Sequence, residues 1–311
     1  MRTATGRSDC GVCGGPVTIP FLDGVRDYEF GGIEWSGSIR RCETCGLLQQ
    51  APMLSEAEAL ALYPDTYTHY NFTPSGLRTT LMRLYFGSLT DLIGRLGGKP
   101  GDSLLDIGCG AGEKAAFLRD RLGLDVTGIE PNALAAGRAR DLFGVNAIHG
   151  LFPTPQLAKG SFDFVYINHV IEHVPEPVAL LNGIAEVLKP GGWVIGETEN
   201  VTAPSARLFG CYWSLLHIPF HLYFFSPATL QGTFKASRFG GAALQMMWDP
   251  SVVVLSLRNL LRRHKRADEI APRRVPGHML LMMATAPFAW LERRNGPIIR
   301  FWARNGAGAS V

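Results

Sequence analysis

Between residues 103 and 250, short apolar runs alternate with stretches in which apolar positions recur every three or four residues. SLLDIG (103–108), DVTGIE (125–130), VNAIH (145–149), FDFVYIN (162–168) and GWVIGET (192–198) read as strands. Residues 112–122, 132–143, 175–188 and 226–240 read as helices. Asn132 serves as an N-cap, Ser226-Pro227 as a start and Lys189-Pro190-Gly191 as a stop. AALQMMW (242–248) and IIRFWAR (298–304) are expected to complete the sheet. FDFVYIN is a nearly continuous apolar run, as suits a strand covered on both faces. The alternation predicts an α/β fold, a doubly wound, mostly parallel, seven-stranded sheet with right-handed crossovers. Ligands of such sheets bind at the carboxyl ends of the strands, near the switch point.

Around this core we expect a metal-bound head at 1–50, a helical linker or cap at 51–97 and a core at 98–250. The core carries an aromatic insertion at 200–226, and a C-terminal extension at 251–311 adds a helix and the last strand. The first residues, MRTATGRSDC, have no apolar targeting segment, which points to the cytoplasm. No apolar run reaches the length of about 18 residues that a transmembrane helix needs. The nearest approach, HMLLMMATAPFAWL (278–291), contains Pro287 and reads as a buried or cap helix. The alternative is an interfacial segment in peripheral membrane contact, helped by Arg262, Arg263, Lys265, Arg266, Arg273 and Arg274. With 46% apolar residues the chain has enough to fold, which excludes disorder as the whole answer. A net charge of +3 is too small to argue for a nucleic-acid partner. The oligomeric state has no signature in the sequence.

Cys10 and Cys13 form C-G-V-C and Cys42 and Cys45 form C-E-T-C, each followed by glycine. Two such knuckles are the ligand set of a closed tetrahedral site for structural zinc, in a small zinc-ribbon-like module. Four thiolates leave no open position, so this metal would stabilise the fold and not catalyse. A redox pair fits less well, because neither knuckle lies in a strand–helix setting.

Residues 104–112, LLDIGCGAG, place Gly108, Gly110 and Gly112 after a strand and before a helix, where the backbone can approach a ligand closely. Glu113 stands where a dinucleotide fingerprint would carry its third glycine, which argues against a nicotinamide cofactor. Asp106 can meet a cationic ligand group, and Glu130, ending the second strand, can accept two ribose hydroxyls. In order and spacing, LLDIGCGAGEK, VTGIEPN, FDFVYINHVIEHVPEP and LKPGGWVIGETEN resemble the motifs of class I S-adenosylmethionine-dependent methyltransferases. The resemblance implies a Rossmann-like core in which the three glycines pack under the cofactor's methionine part. It also implies that Asp106 orients that loop and the amino group, and that Glu130 with Pro131 holds the ribose. Leu151 stands where many relatives carry an acid that contacts adenine, and Asn168 and His169 would face the transferred methyl.

His169, Glu172 and His173 are similar in register to the metal-binding Glu-x-x-Glu-His of ubiquinone-type O-methyltransferases. Their i, i+3, i+4 spacing would share one helical face, although packing of the loop is the expected role. Nucleotide-sugar C-methyltransferases also combine a four-cysteine head with this core, and their His-Leu-x-Tyr-Phe-Ser segment resembles HLYFFS (221–226). That likeness places a catalytic histidine at His221, with Phe220 and Ile218 where those enzymes carry glutamate and tyrosine. The expected order of proton-handling candidates is His221, His169, then His217 and Tyr223. The expected activity is methyl transfer to an oxygen or carbon nucleophile of a small molecule, in a natural-product or sugar and glycan pathway. The acceptor classes are a small molecule, a sugar nucleotide or a lipid-linked compound. The alternatives are a nucleic-acid methyltransferase and a non-catalytic subunit retaining the fold. NHVIEH (168–173) lacks the Asn/Asp-Pro-Pro-Tyr/Phe pattern of amino-methylating enzymes.

Overall fold

In the computed structural model the described residues are 9–29, 33, 35–61, 76–266, 269–270 and 278–306. Arg273 and Arg274 of the basic stretch lie outside them. A small antiparallel sheet begins the chain, with β1 (Val17–Arg26), β2 (Ser36–Cys42) and β3 (Leu48–Ala51). Helices α1 (Glu56–Ala61) and α2 (Gly76–Arg95) follow. The core then alternates β4 (Ser103–Ile107), α3 (Glu113–Leu122), β5 (Asp125–Glu130), α4 (Ala133–Phe143), β6 (Asn146–His149), β7 (Phe162–Asn168), α5 (Pro177–Val187) and β8 (Leu188–Glu199). The insertion forms α6 (Pro204–Phe209), two short 3-10 turns and β9 (Tyr223–Phe224). The chain closes with α7 (Pro227–Lys235), β10 (Ala243–Met247), α8 (Pro250–Leu261), α9 (His278–Leu291) and β11 (Ile298–Arg304).

The large sheet has seven strands in the order β10-β11-β8-β7-β4-β5-β6. Strands β4 to β8 are parallel, and β11 runs antiparallel between β8 and β10. The chain reverses direction across the sheet between β4 and β7, so the switch-point crevice opens after these two strands. Leu105, Ile107, Val165 and Ile167 point to the face covered by α5 and α7. Leu104, Phe164 and Tyr166 point to the face covered by α2 and α3. Successive strand residues alternate between the two faces, so both must be apolar, as the run at 162–168 anticipates.

Local chemistry accounts for several boundaries. Asn132 caps α4 by accepting from the Ala135 amide at 2.9 Å. Ser226 and Thr229 form a reciprocal capping box at the start of α7. That helix ends at Lys235, before the expected boundary at 240, and the last residues form the turn into β10. β8 begins at Leu188, so Lys189-Pro190-Gly191 opens a strand directly after α5.

The head does not end at residue 50. Strand β9, from the aromatic insertion, pairs with β3 through Leu48–Phe224 and Gln49–Tyr223, completing the small sheet as β1-β2-β3-β9. Val25, Ile39 and Leu48 of the head share a core with Trp213, Ile218 and Phe224 of the insertion and Val252 of α8. Residues 220 and 222–225 are all at most 1% exposed, so the insertion is a packed wall and not a free loop. Of the buried or cap helix expected, burial does not hold for α9, since Met283, Trp290 and Leu291 are 72%, 54% and 71% exposed.

Candidate active site

The turn after β4 is built from three glycines with φ of +74°, +55° and +84° at Gly108, Gly110 and Gly112, which only glycine adopts readily. Glu130, at the end of β5, grips this turn. Its carboxylate accepts from the Gly110 amide at 2.9 Å and from the Asn132 amide at 2.9 Å. Burial pushes its carboxyl up, against the pull of those two amides. A carboxylate has about four acceptor positions, so two remain for hydroxyl groups. Asp106 is 2% exposed beneath the loop, and burial raises its carboxyl to about 7 despite the nearby Lys114. Leu151 is 43% exposed, beside Gly150, whose amide donates to the Glu130 carbonyl at 3.0 Å. Pro131 lies next to it, its carbonyl 3.1 Å from His149 Nε2.

A buried polar chain that the motifs do not reveal lies beside this loop. Arg300 of β11, 1% exposed, donates to Glu197 Oε1 from Nε at 2.8 Å and Nη2 at 2.6 Å, and to Ser88 Oγ of α2 at 2.9 Å. In the amide orientation that satisfies its neighbours, Asn168 donates to Tyr166 Oη at 2.8 Å and Glu197 Oε2 at 3.2 Å, and accepts from Lys114 Nζ at 2.5 Å. Burial lowers the Lys114 ammonium, against the attraction of Glu197 and Asp106. Lys114 thus joins Asp106 and Asn168 at the mouth of the glycine turn. The signal for Glu197 and Arg300 was a charged residue inside an apolar strand run, where burial demands a partner.

The second cluster sits after β7. His169 has φ +53°, a conformation unusual for a side chain of its size. Its amide donates to the Glu197 carbonyl at 2.8 Å, and Nδ1 lies 3.0 Å from Glu172 Oε1 and 3.2 Å from Glu199 Oε1. Both carboxylates are fully buried, whereas the His169 side chain keeps 28% of its surface. Burial opposes the imidazolium, but hydrogen bonds to the two carboxylates raise His169 to about 10. Burial also opposes the Glu172 carboxylate, but His169 holds it down to about 2. Glu199, buried and facing that charge, rises to about 8. The hydrogen bonds therefore favour an imidazolium at His169 facing an ionised Glu172.

The other histidines stand behind this front. His221 is 2% exposed, with Nδ1 3.0 Å from the Leu215 carbonyl and 3.1 Å from Glu199 Oε1. Burial and the facing His173 and His217 push it well below its ordinary range. His173 packs edge-on to His221 with ring centres 4.5 Å apart, and burial lowers it to about 4. His217 Nε2 lies 2.7 Å from Glu29 Oε2, and the same carboxylate takes Arg258 at 3.1 Å. Tyr223 donates to the Pro175 carbonyl at 2.7 Å. The structure therefore brings His221, His173 and His217 together but turns His217 and Tyr223 to structural partners.

The four knuckle cysteines also converge. Cys10 and Cys45 Sγ are 3.6 Å apart and Cys13 and Cys42 Sγ 3.5 Å, and all four lie within 4.8 Å of one another. Tetrahedral zinc with bonds of about 2.3 Å sets sulfur separations of about 3.8 Å, close to these. The two knuckles share one geometry. Gly14 and Gly46, at φ +70° and +75°, donate to the Cys10 and Cys42 carbonyls, and the Cys10 and Cys42 amides donate to Gly15 and Leu47. Although burial opposes it, amides of Cys45 and Thr44 lower the Cys42 thiol to about 7, and burial pushes the Cys45 thiol up. Two further groups, Glu172–His173–His221 and His169–Glu172–Glu199, also have donors within 4.8 Å, but their carboxylates already bind the imidazoles.

Residues 81–239 match the methyltransferase domain family. The chain belongs to that family. It is a class I S-adenosylmethionine-dependent methyltransferase by sequence and fold. It is 32% identical over 199 residues to a ubiquinone biosynthesis O-methyltransferase of Chromobacterium violaceum, covering 57% of this chain and 84% of that relative. It is 35% identical over 111 residues to the enzyme of the same name from Albidiferax ferrireducens, covering 32% of this chain and 42% of that relative. Phosphoethanolamine N-methyltransferase 2 of Haemonchus contortus, solved with S-adenosyl-L-methionine, shares the fold at a TM-score of 0.50 and 20% identity, covering 83% of this chain and 62% of that one. Among the described residues of this methyltransferase, no helix is long and apolar enough to cross a membrane.

Proposed function

We propose that this methyltransferase moves the methyl group of S-adenosylmethionine to an oxygen or carbon nucleophile of a small or lipid-linked acceptor. The carrying observation is His169, held between Glu172 and Glu199 at the carboxyl end of β7. S-adenosylmethionine supplies a methyl group already activated on a sulfonium. Glu130 holds the ribose hydroxyls, Asp106 and Asn168 face the methionine end, and Leu151 stacks on the adenine.

His169 commits Nδ1 to the carboxylates, so its Nε2–H is left to face the acceptor. An imidazolium there favours a phenolate, alkoxide or enolate, whose lone pair forms the new bond as the methyl–sulfur bond breaks. The acceptor proton passes to solvent before transfer, because the imidazolium stabilises the anion and so lowers the acceptor's pKa. An ammonium acceptor would be repelled, and a neutral amine would have its lone pair tied to the N–H. The relatives named for O-methylation agree with this preference. His221, behind Glu199, positions the carboxyl that braces His169. We further infer that the four cysteines hold one structural zinc ion.

A labelled-methyl assay against phenols, keto acids, sugar nucleotides, lipid extracts and amines tests the reading. Label is expected in an oxygen or carbon acceptor, and label in amines alone refutes it. His169→Gln should lower turnover by about 10²–10³-fold and leave S-adenosylhomocysteine affinity unchanged.

A further inference from the structure

Helix α9 has no charged residue between His278 and Leu291, yet its outer face is open. Met283, Pro287, Trp290 and Leu291 follow one another at helical i, i+4, i+7 and i+8 spacing and are all exposed. Thr285 Oγ1, on the inner side, lies 3.5 Å from the Pro250 carbonyl at the start of α8. The outer side of α8 adds Leu257 and Leu261, 42% and 71% exposed. These side chains stand on two helices that pack against one another. A surface of this kind on a chain in water calls for a partner.

The charge around it identifies the partner. Arg263, Lys265 and Arg266 are exposed just beyond α8, and Arg293 and Arg294 are exposed just beyond α9. Arg26 pins the first of these segments by donating to the carbonyls of Arg263 and Lys265 at 2.8 and 2.9 Å. The Arg293 guanidinium lies over the Trp290 ring at 3.7 Å, joining a cation to an aromatic at one end of the face. Among the described residues of 261–270 and 278–294, Glu269 is the exposed acid, and Glu292 is buried. Apolar tips between basic ends match an anionic bilayer surface, where aliphatic groups enter the acyl boundary and arginines meet the phosphates. At about 1.5 Å per residue, α9 is about 21 Å long, short of the hydrocarbon thickness of about 30 Å, so it lies in the surface plane.

We propose that the outer face of α8 and α9 docks this methyltransferase on anionic phospholipid membranes. The inner face of α8 ties the docking surface to the active-site wall. Ser256 Oγ accepts from the Ser214 amide at 3.0 Å, and Arg258 reaches the carboxylate of Glu29 that also binds His217. Docking would therefore hold the aromatic insertion close to the bilayer. The proposal is independent of the acceptor assigned above, since it concerns binding and not turnover.

The test is flotation of the full chain with vesicles of phosphatidylcholine alone and with phosphatidylglycerol added. Binding is expected only with the anionic lipid, and it should weaken as salt rises. The double variant Met283→Ser with Leu291→Ser should weaken binding about tenfold or more. Arg293→Gln with Arg294→Gln should weaken it about tenfold as well and flatten the salt dependence. Both pairs are exposed, so circular dichroism and S-adenosylhomocysteine binding should match the parent protein. Failure to float, or flotation unchanged by both variants, overturns the proposal. So does a stable dimer in sedimentation velocity that Met283→Ser with Leu291→Ser dissociates, because the face would then belong to a second copy.

Discussion

Replacing Gly112 by alanine tests the link between the glycine turn and the helix layer behind it. Gly112 closes the turn at φ +84° and precedes the first residue of α3. A Cβ placed there would stand 2.7 Å from Ala139 Cβ and 2.9 Å from Ala139 Cα, both in α4. Because the Cα is backbone, no rotamer change relieves the contact, and α4 must shift. The left-handed conformation costs a side chain about 1–2 kcal/mol. Overpacking of a well-filled contact adds about 1–3 kcal/mol. Gly112→Ala should therefore destabilise the fold by about 2–5 kcal/mol, a drop in Tm of about 3–8 °C. Gly87→Ala is the control. Gly87 lies inside α2, and a Cβ there meets nothing within 4 Å. That change should stabilise by about 0.5–1 kcal/mol through helix propensity alone. Urea and thermal unfolding read both variants, and titration with S-adenosylhomocysteine should show weakened binding only for Gly112→Ala. Equal stability of Gly112→Ala and the parent protein would refute the reasoning.

Asp106 gives a pH signature. Its carboxyl is raised from 3.8 to about 7 by burial, so the ligand-free folded state holds a proton that the unfolded chain has lost. That contribution is fully present below about pH 4 and is lost as pH rises through 7, a difference on the order of 4 kcal/mol. Asp106→Asn should remove this fall between urea midpoints at pH 5 and pH 8. Glu130→Ala should weaken S-adenosylhomocysteine by about 10²–10⁴-fold in calorimetry, for two charge-assisted hydrogen bonds of about 1.5–3 kcal/mol each. Native mass spectrometry should find about one zinc per chain, and Cys42→Ser should lose it together with several degrees of Tm. A parent protein free of metal would remove the zinc reading.

The core strands were legible because each is a short apolar run bounded by glycine or a cap. Observed and expected limits of the strands ending at Glu130 and Asn168 coincide. The strands of the small sheet and their pairing were not legible. Strand β1 carries Pro20 and Gly24 and three register shifts against β2, which break the two-residue alternation. Pairing of Gln49 with Tyr223 leaves no local trace at all. In the site, the glycines, Asp106 and Glu130 follow from spacing, whereas His169 and Glu172 meet across a turn and not on the helical face their offset suggested. Glu199 and Lys114 do not follow from spacing, because their roles come from strands and helices that meet only in the folded chain.

The pairing of β3 with β9 also bears on how the protein is made. The partner of Gln49 lies about 170 residues downstream. At a synthesis rate of about 5–20 residues per second, the free edge of β3 waits about 10–35 s for Tyr223 to leave the ribosome. During that interval the nascent head presents an open strand edge, which invites pairing with other chains. The head precedes the core in synthesis but is completed only after most of the core has emerged.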